Sequence, residues 1–345
     1  MQLSDFDFEL PDALIARYPA KIRSESRLLA VTKDLQQVAH YIFKDMIELV
    51  RPGDLLIFND TRVIPARLFG KKPTGGKIEL LIERILDTHH VLAQIKGGKG
   101  CEIGDWLTIE IENQTTALVL LEKNPPFYKL RLEAFGLTIY DVVKLAGSIP
   151  LPPYLRREAE SIDEERYQTV YAEHLGSVAA PTAGFHFDQA LLHTLREKGV
   201  ESAALTLHIG AGTFAPVRVA NLDEHRMHAE YCFVPKILCD KIMNKRMQGG
   251  RVIAVGTTSL RALETACQGG EMQPYCGETT LFIRPGHIFH SADVLITNFH
   301  LPTSTLLMLV AAFGGYEKMM NAYRKAVVSA YRFYSYGDAM WIEKA

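Results

Sequence analysis

Leu295-Ile-Thr-Asn-Phe-His-Leu-Pro-Thr-Ser-Thr-Leu-Leu-Met-Leu-Val-Ala-Ala-Phe313 decides how the rest of the chain is read. Its first residues form an apolar run that closes on Thr297, Asn298 and His300. After Pro302 the hydroxyl cluster Thr303-Ser-Thr305 opens a second apolar run of helical length. The pattern predicts a buried strand, a tight turn and a helix started by a capping hydroxyl. In a parallel sheet, a turn of this kind is where polar groups meet a ligand.

Working outward, the same grammar recurs. Strands are predicted at Ala203–His208, Val252–Val255, Thr280–Ile283 and Val294–Thr297, interleaved with helices at Asp188–Lys198, Pro235–Gln248, Ser259–Cys267, Ser304–Phe313 and Glu317–Ala330. The N-terminal part adds a helical entry at Pro11–Arg17, strands at Leu28–Val31 and Leu55–Phe58, and a helical stretch ending near Pro52-Gly53. Alternation of strands and helices implies a largely parallel sheet covered by helices.

Between these parts the character changes. Lys77–Ile85, Val91–Ile95, Trp106–Glu112, Thr116–Leu121 and Tyr128–Leu132 read as short strands separated by glycine-rich or polar turns, with one helix at Thr138–Ala146. Close strand spacing with turn signals suggests a small antiparallel barrel or sandwich. The expected fold class is therefore α/β: a large mixed or parallel-sheet domain from residues 1–63 and 150–345, with a β-barrel-like small domain, 64–149, inserted in it. Pro150-Leu-Pro-Pro153 serves as a stiff connector.

Composition limits the function classes. An apolar fraction of 48% and a charged fraction of 23% are those of an ordinary globular protein. No apolar run approaches membrane-spanning length, and Met1–Leu10 lacks a basic-then-apolar leader, so a cytoplasmic location is expected. The five cysteines show no C-x-x-C spacing, which gives neither a zinc site nor a disulfide framework. A net charge of -2 argues against a surface that holds nucleic acid everywhere. It leaves room for a local basic face: Arg62, Arg67, Lys71, Lys72 and Lys77 fall between Thr61 and Ile78 with no acidic residue.

Polar clusters gather at strand ends. Asn59-Asp-Thr-Arg62 follows the strand Leu55–Phe58. Leu207-His-Ile-Gly-Ala-Gly-Thr-Phe214 carries Gly210 and Gly212, which permit close backbone approach to a ligand beside His208 and Thr213. It lacks the third glycine of a dinucleotide fingerprint. Thr257, Thr258 and Ser259 open a helix after Gly256, so free N–H groups and the positive helix end suit a carboxylate or phosphate. Asp223-Glu-His-Arg-Met-His-Ala-Glu230 packs acid–base pairs that can tune one another. Pro181–Phe187 places His186 just before a helix.

Taken together, Phe58–Arg67, Pro181–Phe187, Leu207–Phe214, His225-x-Met-His228, Val255–Ser259, Thr297–Pro302 and Tyr331–Met340 closely resemble the S-adenosylmethionine:tRNA ribosyltransferase-isomerase family of queuosine biosynthesis. The resemblance spans essentially the whole length. Thr303 and Phe185 depart from the residues frequent in the family, Phe185 by a conservative apolar change, and neither alters the activity the resemblance implies. The resemblance implies a two-domain enzyme with a barrel-like insertion. It implies transfer of the ribosyl part of S-adenosylmethionine to 7-aminomethyl-7-deazaguanine at the tRNA wobble position, with rearrangement to epoxyqueuosine and release of adenine and methionine. S-adenosylmethionine is then a consumed co-substrate, and neither cofactor nor metal nor protein partner is expected.

That chemistry needs a base for the ribose 5′ proton beside the sulfonium. His208, His228 and Glu230 are the candidates, in that order. His300 or His186 could protonate departing adenine. The Thr257–Ser259 helix start, with Arg261 one turn in, is expected to hold the methionine carboxylate. Asn59, Asp60, Arg62 and Asn298, with the Gly210–Thr213 loop, are expected around the substrates. Arg67, Lys71, Lys72 and Lys77 would meet tRNA phosphates. Phe299 and Tyr336 are candidate platforms for an extruded base. The competing classes are an S-adenosylmethionine-dependent RNA methyltransferase, a dinucleotide oxidoreductase and a non-catalytic RNA-binding protein.

Overall fold

The computed structural model describes all residues except 34–37, 112–113, 215–216, 218 and 268. Its strands are β1 (Arg27–Val31), β2 (Ala39–Ile42), β3 (Leu55–Asn59), β4 (Thr61–Val63), β5 (Arg67–Lys71), β6 (Lys77–Ile85), β7 (His90–Lys96), β8 (Trp106–Ile111), β9 (Gln114–Asn124), β10 (Phe127–Glu133), β11 (His174–Ser177), β12 (Glu201–Leu207), β13 (Glu230–Val234), β14 (Val252–Val255), β15 (Tyr275–Thr279), β16 (Val294–Asn298) and β17 (Ala339–Glu343). The helices are α1 (Ile139–Ala146), α2 (Ser161–Arg166), α3 (Gln189–Glu197), α4 (Lys236–Met247), α5 (Thr257–Ala266), α6 (Thr305–Gly314) and α7 (Tyr316–Val328).

Nine strands form one sheet in the order β15-β13-β12-β3-β14-β16-β17-β1-β2. The four central strands, β12, β3, β14 and β16, run parallel. They are apolar on both faces because helices cover both: β3, β14 and β16 are buried at every position. One apolar core lies under α4, α5, α6 and α7, and another under α3 and the N-terminal segments.

The direction of the outer strands sets the position of the site. β17 runs antiparallel to β16, β1 runs parallel to β17, and β13 runs antiparallel to β12. The starts of β17, β1 and β13 therefore reach the same sheet edge as the ends of β3, β12, β14 and β16. Polar groups from distant segments meet there: Asn59, His208, Gly256, Asn298, Asp338, Ser26 and Glu230.

β5 to β10 close into a six-stranded antiparallel barrel in the order β10-β7-β6-β5-β8-β9. The barrel packs its own apolar core, against which α1 lies. Thr138 caps α1 by accepting a hydrogen bond from the Asp141 N–H, and the Asp141 carboxylate accepts one from the Thr138 N–H. Val178 and Ala211 of the sheet-edge loops are buried in that same core, so the barrel is docked on the site side of the sheet.

Several local expectations differ from the structure. The entry Pro11–Arg17 holds only a short 3-10 turn, Asp12–Leu14, and the stretch before Pro52 holds β2 and a second such turn, Phe43–Glu48. The strand expected at Thr280–Ile283 lies earlier, as β15. β13 and β17 were not anticipated, because short apolar runs such as Ala-Met-Trp-Ile carry no period that separates strand from helix. Glu112, the expected end of one barrel strand, lies outside the described residues. Among the described residues, no helix is long and apolar enough to cross a membrane.

Candidate functional site

A cavity at the sheet edge is lined by Ala180–Ala183, Ile209, Thr213, Glu230, Gly256–Thr258, Arg261, Thr297, Asn298, His300, Tyr334 and Ser335. Gly256 holds a left-handed backbone, φ 93°, which turns the chain from β14 into α5. The first turn of α5 therefore points its N–H groups at the cavity. Thr257 and Thr258 line it. Ser259 does not: its hydroxyl donates back to the Val255 carbonyl at 2.7 Å.

Arg261 and Glu230 form the cavity's charged wall. Arg261 Nη1 lies 2.5 Å from Glu230 Oε2, with side-chain exposures of 7% and 6%. Glu230 Oε1 accepts from the Gly210 N–H at 3.1 Å. Arg261 Nε is buried with no hydrogen-bond partner among the described residues, and Glu230 Oε2 is held by the Arg261 ion pair alone. A buried pair with open valences suits a ligand that carries both charges.

Asn298 orders the opposite wall. Its Nδ2 donates to the Tyr334 carbonyl at 3.1 Å and to His186 Nε2 at 3.2 Å, and its Oδ1 accepts from the Thr182 hydroxyl at 3.3 Å. Tyr334 sits at φ 76°, a conformation costly for a tyrosine. The Asn298 contact, with the Tyr334 N–H donating to the Phe299 carbonyl at 2.9 Å, holds it there.

The predicted histidines fall in different places. His186 lies behind Asn298 with both ring nitrogens engaged, Nδ1 lying 2.6 Å from the Ser26 hydroxyl. Burial pushes its pKa down to about 4. It supports Asn298 and has no free nitrogen for adenine. His300 lines the cavity, with Nε2 3.0 Å from the Thr297 hydroxyl, and burial pushes its pKa down to about 3. It is neutral at physiological pH, so it can orient a base by hydrogen bonding but holds no imidazolium proton to give. His228 is exposed, lies edge-on to Phe127 and covers Gly212, where a Cβ would meet its ring at 2.5 Å.

His208 belongs to a second cavity, between barrel and sheet, shared with Glu83, Gly176, Gly210 and Tyr231. Its Nδ1 is 2.7 Å from the Thr61 hydroxyl, and its ring stacks on Tyr231 at 5.8 Å. Burial is the main reason its pKa falls to about 4, so it keeps a lone pair at neutral pH. The backbone of Gly210 divides the two cavities. Glu230 bonds it from one side and Glu83 of β6 presses on it from the other, with Oε2 accepting from the Ala211 N–H at 3.0 Å.

The Asn59–Arg62 segment is mostly structural. Asn59 is fully buried and clamps β12, donating to the Leu207 carbonyl at 2.9 Å and accepting from the Leu207 N–H at 3.0 Å. Its reach to the Thr258 hydroxyl, 3.4 Å, ties that clamp to the α5 start. Asp60 accepts from Thr206 at 2.7 Å and lies 3.3 Å from His174 Nδ1; burial raises its pKa. Asp60, Glu173 and His174 have ligand atoms within 4.8 Å of one another, a spacing a divalent ion could use, but two of the three are exposed. Arg62 is exposed.

The four barrel cations are partly occupied. Lys71 pairs with Glu110 at 2.7 Å, Arg67 with Glu79 at 3.2 Å, and Lys72 donates to the Lys99 carbonyl at 2.8 Å, while Lys77 is exposed. The acidic partners come from neighbouring strands, which a linear charge run does not reveal. Phe299 and Tyr336 are buried: Phe299 packs among Tyr323, Tyr331 and Phe333, and the Tyr336 hydroxyl donates to Asp163 at 2.7 Å. Neither can receive a base. Glu83, Tyr231 and Tyr334 were not singled out from sequence. The signal for Glu83 was a break in register, which only strand pairing exposes.

The queuosine biosynthesis protein family matches this chain over residues 3–342. Among solved structures, an S-adenosylmethionine tRNA ribosyltransferase from Thermotoga maritima is similar over 98% of this chain and 100% of its own. The identity is 35% and the TM-score 0.56.

Proposed function

The chain belongs to the queuosine biosynthesis protein family, and from that premise we propose that it transfers and isomerises the ribosyl part of S-adenosylmethionine onto a tRNA base. The acceptor in this reading is 7-aminomethyl-7-deazaguanine at the wobble position, the product is epoxyqueuosine, and adenine and methionine leave. S-adenosylmethionine is consumed, and the work is that of a cytoplasmic enzyme.

The observation that carries the reading is the Arg261–Glu230 pair at the start of α5. An α-amino acid end bears one carboxylate and one ammonium, and this wall offers the complement of each. The carboxylate joins Arg261 and the N–H groups of Thr257 and Thr258, where the helix end adds favourable charge. The ammonium joins Glu230. The adenine then lies toward Asn298 and His300, which can hydrogen-bond its edge.

The sulfonium acidifies the neighbouring 5′ carbon, so a weak base suffices to take its proton. Glu230 is tied to Arg261, and His186 is enclosed. We assign the proton to His208, which lines the neighbouring cavity and whose neutral ring has Nε2 free of hydrogen bonds among the described residues, against Gly176. Backbone phosphates fall to exposed Arg62 and Lys77, with Lys71, Lys72 and Arg67 drawn from their present partners.

Incubation with S-adenosylmethionine and tRNA bearing the aminomethyl base should release free adenine in proportion to ribosylated tRNA. S-adenosylhomocysteine in place of adenine would establish methyl transfer and overturn the proposal. Loss of adenine release in His208→Ala is expected; full turnover would remove His208 from the role.

A further inference from the structure

We propose that the cavity between barrel and sheet is the subsite for the acceptor base, and that Glu83, carried in on β6, binds the base's cationic aminomethyl group. The inference rests on the reading above that the acceptor is a tRNA base of this type.

Glu83 is placed by a local irregularity. β6 pairs with β7 in regular register up to Ile82↔Ala93, then skips, with Arg84 opposite Leu92. Glu83 is the extra residue, and a bulge re-aims a side chain out of the alternation of its strand. Up to Ile82 the strand alternates between buried and less buried positions; from Glu83 the alternation stops. The barrel thus sends one carboxylate toward the Gly210 loop.

That carboxylate has no cation of its own. Among the described residues no Lys or Arg pairs with it: Arg84 binds Glu278 and the Ala229 carbonyl, and it and His228 act on Glu83 only through longer-range charge. Ala211 N–H satisfies Oε2, and among the described residues no hydrogen bond reaches Oε1. Desolvation, with Glu230 nearby, raises its pKa. A half-buried carboxylate with no paired cation is stabilised by one that arrives with a ligand.

The rest of the cavity suits a flat ring. His208 and Tyr231 stack with an interplanar angle of 21° and form one wall. Four exposed large apolar residues, Leu86, Tyr140, Leu175 and Tyr231, line the same cavity. Apolar and aromatic groups around a half-buried carboxylate match an aromatic cation better than an anion or a sugar. Gly210, bonded by Glu230 and met by Glu83, lies between this space and the cavity assigned to S-adenosylmethionine, so the two subsites are neighbours.

The test compares two anticodon stem-loops, one with the aminomethyl base and one with guanine at that position, by fluorescence anisotropy without S-adenosylmethionine. The wild type should prefer the aminomethyl RNA by about tenfold or more, the range of one charge-assisted hydrogen bond. Glu83→Gln keeps an oxygen for the Ala211 N–H and should reduce the preference to near unity, with S-adenosylmethionine affinity unchanged. Retention of the wild-type preference would overturn the proposal. Tyr231→Leu should weaken both RNAs alike; unchanged binding of both would also overturn it. Adenine release by the wild type is scored separately. If it is absent while the Glu83-dependent preference persists, the subsite stands and the ribosyl-transfer reading fails.

Discussion

Arg261 of α5 and Glu230 of β13 face each other at 2.5 Å inside the sheet-edge cavity, and each is the other's charge compensation. Removal of one partner leaves an uncompensated buried charge. Arg261→Met should cost about 3–5 kcal/mol of unfolding free energy. The double variant Arg261→Met with Glu230→Gln should recover most of that loss, because two neutral groups fit the site without desolvation cost. Neither protein should bind S-adenosylmethionine. Urea denaturation and calorimetric titration separate the effects, and a double variant that binds like the wild type would refute the zwitterion assignment.

Gly210 offers a second test of the wall between the cavities. A Cβ there would collide with Glu83 Oε1. Gly210→Ala should therefore push the Glu83 carboxylate aside and destabilise by about 1 kcal/mol, the cost of its hydrogen bond to the Ala211 N–H. Combining it with Glu83→Ala should relieve the collision while leaving modified-tRNA turnover low. Equal stability of Gly210→Ala with and without Glu83 would show that the contact is absent in solution.

These two relationships mark the limits of sequence reading. The turn at Thr297–Pro302, the α5 start and the Gly210 loop were legible because strand, glycine and hydroxyl cap lie next to one another in the chain. Their convergence on one edge also followed from the βα pattern. Glu83 was hidden because its hydrogen-bond partner, Ala211, is 128 residues away, and its orientation depends on a bulge in a cross-strand register. The partial neutralisation of the basic run from Arg62 to Lys77 was hidden for the same reason: Glu79 and Glu110 reach it only through barrel pairing. Asn59 looked like a ligand residue because a buried amide that clamps β12 has the same signature in sequence as one that faces a substrate.

Asn298 is predicted to be more sensitive to charge than to size. Its Nδ2 donates toward the carbonyls of Tyr334 and Ser335 at 3.1 and 3.4 Å. Asn298→Ala strands those acceptors, a loss of about 1–3 kcal/mol. Asn298→Asp turns a carboxylate oxygen toward the same carbonyls and should cost more, and it should also release Tyr334 from its left-handed backbone. Thermal unfolding ranks the two; an aspartate variant as stable as the alanine one would show that the amide does not hold this loop.

The buried histidines make stability fall in acid. His300 has a folded pKa of about 3, against about 6.5 when unfolded, because burial disfavours its charged form. The unfolded chain therefore binds a proton that the folded chain refuses, so the stability is fully present above pH 6.5 and is lost as pH falls toward 3. The slope in that window is about 1.4 kcal/mol per pH unit for each such group. His186, with a folded pKa of about 4, adds a second contribution of the same sign. Asn in place of His300 keeps a polar group for the Thr297 hydroxyl and removes the titration. Urea unfolding at pH 7 and pH 5 should show the wild type losing about 2 kcal/mol more than His300→Asn over that interval. An identical loss in both proteins would mean that His300 is not held neutral in the fold.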